Sequence, residues 1–491
     1  MTLEELLKKE NTNAKDDSEI INRLKQGRSQ ATPDMALTIT GLEPSQHAIY
    51  DELKRPDKKI RRAADENQAV KVSSTGEEIK EYDIVPVERI ALAIQKLIVN
   101  RAVAFLFGNA PTNSADLREG TKDGDVLNTV NKMLQQAKAR TLNREIARSL
   151  FETTEAAEYW YPVEQEQETD LYGIPSKFKL KVAIFSPLKG DSLYPYFDSN
   201  GELLAFSREY EVRLDATNRQ RTFETYTAKQ MMKWVVTDGT WQMAEGYPKA
   251  NPIGKIPVVY CCQPKREWDD VQSLIERLET LLSNFADTND YHASPKIFTT
   301  GTILGWAKKG ESGAVIEGEE GATAQYLSWA QAPESVKLEI ETLLRMIYTI
   351  TQTPDVSFDS VKGLNLSGVA LKLLFMDAHL KVQDKAEIFD EHLQRRNNIL
   401  QAFAAQMNAS DTAYVQSCNT LLIEPQIQPY MIEDDATKVS TLMAATGQKA
   451  VASRKLAIQK LGWSKDPDAE LEEIEAQEAA AATFDITEPT L

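Results

Sequence analysis

The sequence predicts an α+β protein in which helical and β-rich stretches are segregated along the chain. Three observations carry that reading. Helical apolar periodicity runs to about residue 154, short β-branched and aromatic runs fill 157 to 262, and heptad-like helices return from Trp268.

Residues 1–85 are polar and punctuated. The start, MTLEELLKKENTNAKDD, has no apolar core, so no secretory leader is expected. The one dense basic run, KRPDKKIRR at 54–62, reads as a solvated surface segment rather than a phosphate contact. Glu88–Phe107 then reads as a long buried helix, ended by Gly108 and Pro111. Gln95, Lys96, Asn100 and Arg101 interrupt its apolar run and argue against a membrane span. A second helical stretch, 126–154, carries Val126, Val130, Leu134, Leu142, Ile146 and Leu150 at helical spacing.

Strand-like runs follow: FKLKVAIF (178–185), LLAFSREYEVR (203–213), RTFETYT (221–227), MMKWVV (231–236) and IPVVYCC (256–262). Turn signals divide them, and Asp238-Gly239 predicts a tight hairpin. Alternation sends Cys261 and Cys262 to opposite faces. With Cys418 they fit a reducing compartment and the role of small buried hydrophobes.

From Trp268, Val271, Leu274, Leu278, Leu281 and Phe285 recur at the spacing of a helix packed along a seam. A second such helix follows Pro333, with Val336, Ile340, Leu343, Ile347 and Ile350 on one stripe. Each would be roughly 30–37 Å long. The glycine-rich stretch between them (301–326) is too irregular for a helix and holds β-like pieces, which suggests an antiparallel pair carrying a small knob. TQTPDVSFDSVKGLNLSG (351–368) is a loop, and Ser367 reads as the N-cap of a helix running to about Met407. The remainder holds a short strand (NTLLIEPQI, 419–427), two helices and an acidic, alanine-rich tail.

The chain has 491 residues and a net charge of -18, with 42% hydrophobic residues. That charge argues against a broad basic face that grips nucleic acid. It leaves open an acidic wall that encloses DNA without holding it, because like charge lowers the friction of sliding. Catalytic signatures are missing: no G-x-x-x-x-G-K-[ST], no H-E-x-x-H, no paired C-x-x-C and no G-x-S-x-G. His47, His292, His379 and His392 are scattered, and each reads as a surface or packing residue. Glu317, Glu319 and Glu320 read as hydrated glutamates rather than Mg²⁺ ligands. No catalytic residue, metal or cofactor is expected, and the chain does not read as an enzyme.

Three segments, in order, resemble the Gp6-like (SPP1-type) portal proteins of tailed phages. LIVNRAVAFLFGNAPT (97–112) is similar to that family's helix followed by Gly-x-x-Pro. GKIPVVYCCQPKREWDDVQSLIERLETLLSN (254–284) resembles the strand, polar turn and first stem helix. TPDVSFDSVKGLNLSGVALKLLFMDAHLKVQDKAEIFDEHLQRRNNIL (353–400) resembles the tunnel loop and tunnel helix. The resemblance covers roughly residues 85–475.

The resemblance implies a ring-forming portal fold. Residues 1–85 would be an N-terminal arm and outer wing, and 86–265 a wing of helices followed by antiparallel strands. Residues 266–294 and 334–352 would be stem helices flanking a small α/β clip at 295–333. A tunnel loop (353–367) would precede a long tunnel helix (368–407). Residues 408–435 would return to the wing, and 436–491 would form a helical crown with an acidic tail. Similar proteins form closed rings of about twelve subunits, as head-to-tail interfaces that close do. They pass double-stranded DNA, without regard to sequence, into and out of the capsid. Implied partners are the terminase large subunit, a head-completion adaptor, and the major capsid and scaffolding proteins, with no membrane. The implied location is the capsid vertex of the virion, and host cytoplasm during assembly.

The loop that would line the channel is Asp355, Val356, Ser357, Phe358, Asp359, Ser360, Val361, Lys362, Gly363, Leu364, Asn365 and Leu366. Lys362 is its lone cation, either a transient, sequence-blind phosphate contact or a solvated lysine. Gly363 and Gly368 would let the loop change path. The clip surface expected to dock partners holds Trp306, Lys308, Lys309, Glu311, Glu317, Glu319 and Glu320, with Trp306 read equally as an internal anchor of the clip. Rival readings are a DNA-independent structural or scaffolding adaptor and an α+β enzyme with dispersed carboxylates.

Overall fold

Asp16 and Asp34 each accept a backbone N–H three residues on, and so start α1 (Asp17–Gln26) and α2 (Met35–Leu42). The structure is a computed structural model. It describes residues 16–28, 30–61, 82–215, 218–293, 296–300, 303–305, 317–318, 321, 323–327, 332–355, 375–430, 435–447, 450–464 and 466–485. An antiparallel pair, β1 (Lys58–Arg61) and the exposed β2 (Tyr82–Val85), follows α2. Then come α3 (Ile94–Phe107), β3 (Thr112–Ser114), α4 (Asp123–Gln136) and α5 (Ala139–Thr153). The helix expected over 126–154 is therefore two. Lys138 takes a left-handed backbone (φ 53) that no helix can continue through.

The β region is larger than expected. It opens with β4 (Glu155–Thr169), whose outer half of alternating glutamates and glutamines is exposed and hides it from pattern reading. Next are β5 (Ser176–Phe185), β6 (Ser192–Phe197), β7 (Leu203–Arg213), β8 (Arg219–Tyr226), β9 (Gln230–Thr237), β10 (Thr240–Met243), β11 (Lys249–Ala250) and β12 (Val258–Cys262). One antiparallel sheet has the order β10-β9-β8-β7-β6, with β11 also on β9, and a second has the order β12-β4-β5. The expected hairpin lies between β9 and β10: Asp238 and Gly239 both have positive φ, and Thr237 faces Thr240. Phe185, Phe206, Tyr226 and Val258 pack the two sheets together. On the larger sheet, α1 buries Ile21 and Leu24 against Phe223 and Trp234. Gly27 is needed there, because a Cβ would overlap the Tyr196 ring.

The chain continues with α6 (Gln272–Ala293), β13 (Lys296–Thr300), β14 (Ile303–Gly305), β15 (Glu317–Gly318), β16 (Thr323–Leu327) and α7 (Ala332–Ile350). β13 pairs with β16, and β14 with β15, both antiparallel. The long helix α8 (Met376–Met407) precedes α9 (Thr412–Thr420) and β17 (Glu424–Gln426), which pairs with β3. The main core joins α3, α5, α6, α7 and α8, with Phe107, Phe151, Trp160, Trp268 and Phe389 each no more than 1% exposed.

These elements make one compact unit, Met1–Pro354 with Asp377–Pro429. A second unit, Asp355–Met376 with Tyr430–Leu491, carries α10 (Asp435–Thr446), α11 (Arg454–Leu461) and α12 (Pro467–Asp485). The acidic stretch expected as a tail is therefore helical over most of its length. Asp466 accepts the Asp468 and Ala469 N–H groups, Pro467 takes the first helical position, and the glutamate- and alanine-rich composition favours the rest. Arg454–Glu478 and Lys455–Asp468 ion pairs tie α12 to α11.

Candidate functional site

The two seam helices meet as an antiparallel pair. Arg277 of α6 bonds Glu339 of α7 at 2.7 Å, while just past the far end of α7 Thr351 shares Lys381 with Glu267, ahead of α6. Residue numbers thus fall along one helix as they rise along the other. Ile275, Leu278, Leu281, Leu343 and Ile347 supply the seam, all buried.

A second face of α6 holds an extended segment of chain. Asp287, Ser283 and Glu279, spaced by four, accept the backbone N–H groups of Glu88, Ile90 and Leu92 at 3.0, 2.9 and 2.8 Å. Four helical residues rise about 6.0 Å and two extended residues about 6.6 Å, so the ladder keeps register over three rungs. This corrects the helix expected from Glu88: it starts at Ile94, because these N–H groups find better acceptors on α6. Glu279 also lies 2.6 Å from His47 Nδ1, with both side chains buried. Burial alone would lower the His47 pKa; the hydrogen bond and charge of Glu279 outweigh it and raise it. Two of the scattered histidines, His47 and His392, therefore sit against buried glutamates, a pairing that sequence distance conceals.

The C-terminal end of α7, next to the predicted loop, is held by several hydrogen bonds. Thr353 N–H reaches Tyr348 O at 2.9 Å and Gln352 N–H reaches Thr349 O at 3.2 Å, with Gln352 left-handed (φ 50). This is a Schellman end carrying glutamine where glycine is usual, followed by Pro354. Two cations hold it. Lys381 Nζ donates to Thr351 O at 2.9 Å, and Arg101 Nη1 donates to Pro354 O at 2.6 Å. Lys381 also pairs with Glu267 at 2.7 Å, and Lys385 reaches the other oxygen of Glu267 at 2.8 Å. Burial lowers the Lys381 pKa. It would raise that of Glu267, but the two lysines hold Glu267 below its ordinary value. The gap between Arg101, Pro354, Lys381 and Val382 is ≈ 10 Å³, too small for a ligand. The site holds backbone, through the carbonyls of Thr351 and Pro354.

Of the residues predicted to line a channel, Asp355 is exposed just beyond this end, and Val356 to Leu366 lie outside the described residues. Of the predicted docking residues, Glu317 lies in β15, while Trp306, Lys308, Lys309, Glu311, Glu319 and Glu320 lie outside the described residues. The predicted N-cap Ser367 and the first turns after Gly368 lie outside them too, and the described long helix begins at Met376. Sequence reasoning missed Arg101, Glu267, Lys381 and Lys385. The one available signal was a cation, Arg101, inside an apolar run.

The sequence pattern of the family described as phage portal protein, SPP1 Gp6-like, matches residues 57–483. The chain belongs to this family. Among solved structures, this portal chain is similar to one in the neck of an empty GTA particle computed with C6 symmetry. The TM-score is 0.39 at 10% identity, over 75% of this chain and 89% of that one. It is also similar to a chain in the neck of a native GTA particle computed with C12 symmetry, with TM-score 0.38, 9% identity, and coverage of 75% and 88%. A third similarity is to a chain of the virion of a native gene transfer agent particle, with TM-score 0.35, 9% identity, and coverage of 74% and 99%. No curated protein matches the portal chain. Among the described residues, no group of three or more histidines, cysteines or carboxylates could hold a metal ion.

Proposed function

We propose that this portal protein is one subunit of a closed ring at the capsid vertex, of twelve subunits as the family implies, through which double-stranded DNA enters during packaging and leaves on ejection. Family membership across residues 57–483 carries the reading. On it, α6 and α7 are the stem, 295–333 is the clip, 353–367 lines the bore, and α8 belongs to the tunnel helix of 368–407. Residues 1–265, with a return at 408–435, make the wing, and 436–491 the crown.

Two physical features support it. An antiparallel helix pair is a stiff spacer that can carry a knob away from a sheet-rich body. A chain of net charge -18 gives an enclosed duplex little to adhere to, which suits a conduit. Lys362 would then meet the phosphate backbone briefly, one ammonium per subunit, and the glutamates and lysines of 306–320 would dock the terminase motor and later a head-completion adaptor. Translocation energy would come from the motor, and this subunit would be non-enzymatic, located in the virion after assembly in the host cytoplasm.

Negative-stain electron microscopy with light scattering tests the ring. Twelve chains of 55.1 kDa give about 660 kDa around an open bore. A strictly monomeric protein, or a particle without a hole, overturns it. Lys362→Ala with packaging and ejection unchanged would remove the phosphate-contact role while leaving the ring intact.

A further inference from the structure

We propose that Arg101 and Lys381 are positioning residues: a two-point clamp on Thr351–Pro354 that sets the direction in which the chain leaves α7. The inference rests on the proposed reading of 353–367 as the channel-lining loop, whose root this turn would be.

The clamp has three parts. First, its two cations come from different elements, α3 and α8, and grip carbonyls three residues apart, Thr351 O and Pro354 O, at 2.9 and 2.6 Å. The last carbonyls of a helix have no intrahelical partner, and here side chains rather than water satisfy them. Second, Lys381 is 9% exposed, a burial that a lysine sustains only with a partner, and Glu267 provides one. Glu267 is itself fixed, because its own N–H donates to Phe151 O at 3.2 Å and Lys385 takes its second oxygen. The clamp therefore joins the end of α7 to the approach to α6 and to the long helix. Third, the Arg101 guanidinium also lies 5.6 Å from the centre of the Tyr348 ring, on the last turn of α7, so the helix and the turn share one anchor.

The turn that they hold is not at rest. Gln352 occupies left-handed backbone that a side chain disfavours, and Thr351 Oγ1 bonds Ile347 O and Thr353 Oγ1 to close it. Backbone of this kind persists only when its surroundings over-determine it. Removal of one cation should release it locally without dissolving the helices on either side. A displacement of α8 would likewise carry the root of the loop through Lys381.

The test uses the full-length protein with Lys381→Met, Arg101→Met and Arg101→Lys, followed by amide hydrogen exchange and by DNA packaging. Exchange at Gln352 and Thr353 should rise about tenfold or more in both methionine variants, with the α7 interior near Leu343 unchanged and the Arg101→Lys variant close to the parent. If Lys381→Met fails to fold, Arg101→Met decides by itself, since Arg101 is only partly buried. Unchanged exchange at 352–353 in a folded methionine variant overturns the clamp. Faster exchange with assembled rings and a several-fold loss of packaged DNA supports both the clamp and the channel reading. Faster exchange with normal packaging keeps the clamp and removes the loop from the channel.

Discussion

Arg396 sets its Nε and Nη2 against the two carboxylate oxygens of Glu158, at 2.7 and 2.8 Å, with both side chains essentially sealed from water. Its third donor reaches Asn143 Oδ1 at 2.6 Å, so α8, β4 and α5 meet at one guanidinium. Such a fork is a poor source of net stability but costly to halve. Arg396→Met leaves Glu158 buried with only His392 beside it, at 3.4 Å, and should lower unfolding stability by about 3–5 kcal/mol. The double variant Arg396→Met with Glu158→Leu should recover part of the loss. Urea denaturation followed by tryptophan fluorescence checks both, and a single variant within about 1 kcal/mol of the parent would contradict the argument.

The same cluster predicts acid sensitivity. Burial pushes the Glu158 pKa up, but Arg396 and His392 more than compensate and hold it at about 2. Burial also lowers His392, whose Nε2 lies 3.4 Å from Glu158 without an aligned hydrogen bond. Unfolded, the two groups bind protons near their ordinary values of 4.5 and 6.5. The folded state therefore carries fewer protons, and stability falls as pH falls: first below 6.5 through His392, then from 4.5 towards about 2 through Glu158. Glu155 and His47, both raised, act in the opposite sense. Glu158→Gln isolates the effect. It should lower stability at neutral pH and flatten the slope below 4.5, read as the urea midpoint against pH.

What the sequence disclosed follows from how far apart the interacting residues are. β7 matches its predicted range because alternation is a local signal, and the Asp238-Gly239 hairpin because two residues alone determine it. The seam of α6 and α7 was legible for the same reason. The start of α3 was not, since the acceptors that keep the N–H groups of Glu88 and Ile90 out of the helix stand nearly 200 residues away on α6. Glu158 and Arg396 are 238 residues apart, and Lys381 reads by itself as a solvated helical lysine. The clamp that constrains the turn after α7 exists only once three elements are folded together.

Phe389 is where three helices close on one ring. It meets Phe107 at 5.0 Å and Phe151 at 6.2 Å, edge to face in both cases, and is 1% exposed. Truncation removes the apolar burial and leaves a hole between helices already fixed by other contacts. Phe389→Ala should cost about 3–5 kcal/mol, and Phe389→Leu distinctly less. Thermal unfolding of the purified protein reads the difference. Equal effects of the two substitutions would mean that the site collapses to fill the space.

Gln352 offers the reverse experiment. Its left-handed backbone costs about 1–2 kcal/mol for a residue with a Cβ, whereas glycine adopts it freely at the same position of a Schellman end. Glycine also gives the unfolded chain more freedom, which offsets roughly 0.5–1 kcal/mol of that gain. Gln352→Gly should therefore stabilise the protein slightly, by up to about 1 kcal/mol, visible as a higher urea midpoint at unchanged slope. Gln352→Val should do the opposite, because a β-branched side chain fits left-handed backbone worst. If both variants unfold like the parent, the turn after α7 is not strained, and the two cations that grip it hold a backbone that would keep its path without them.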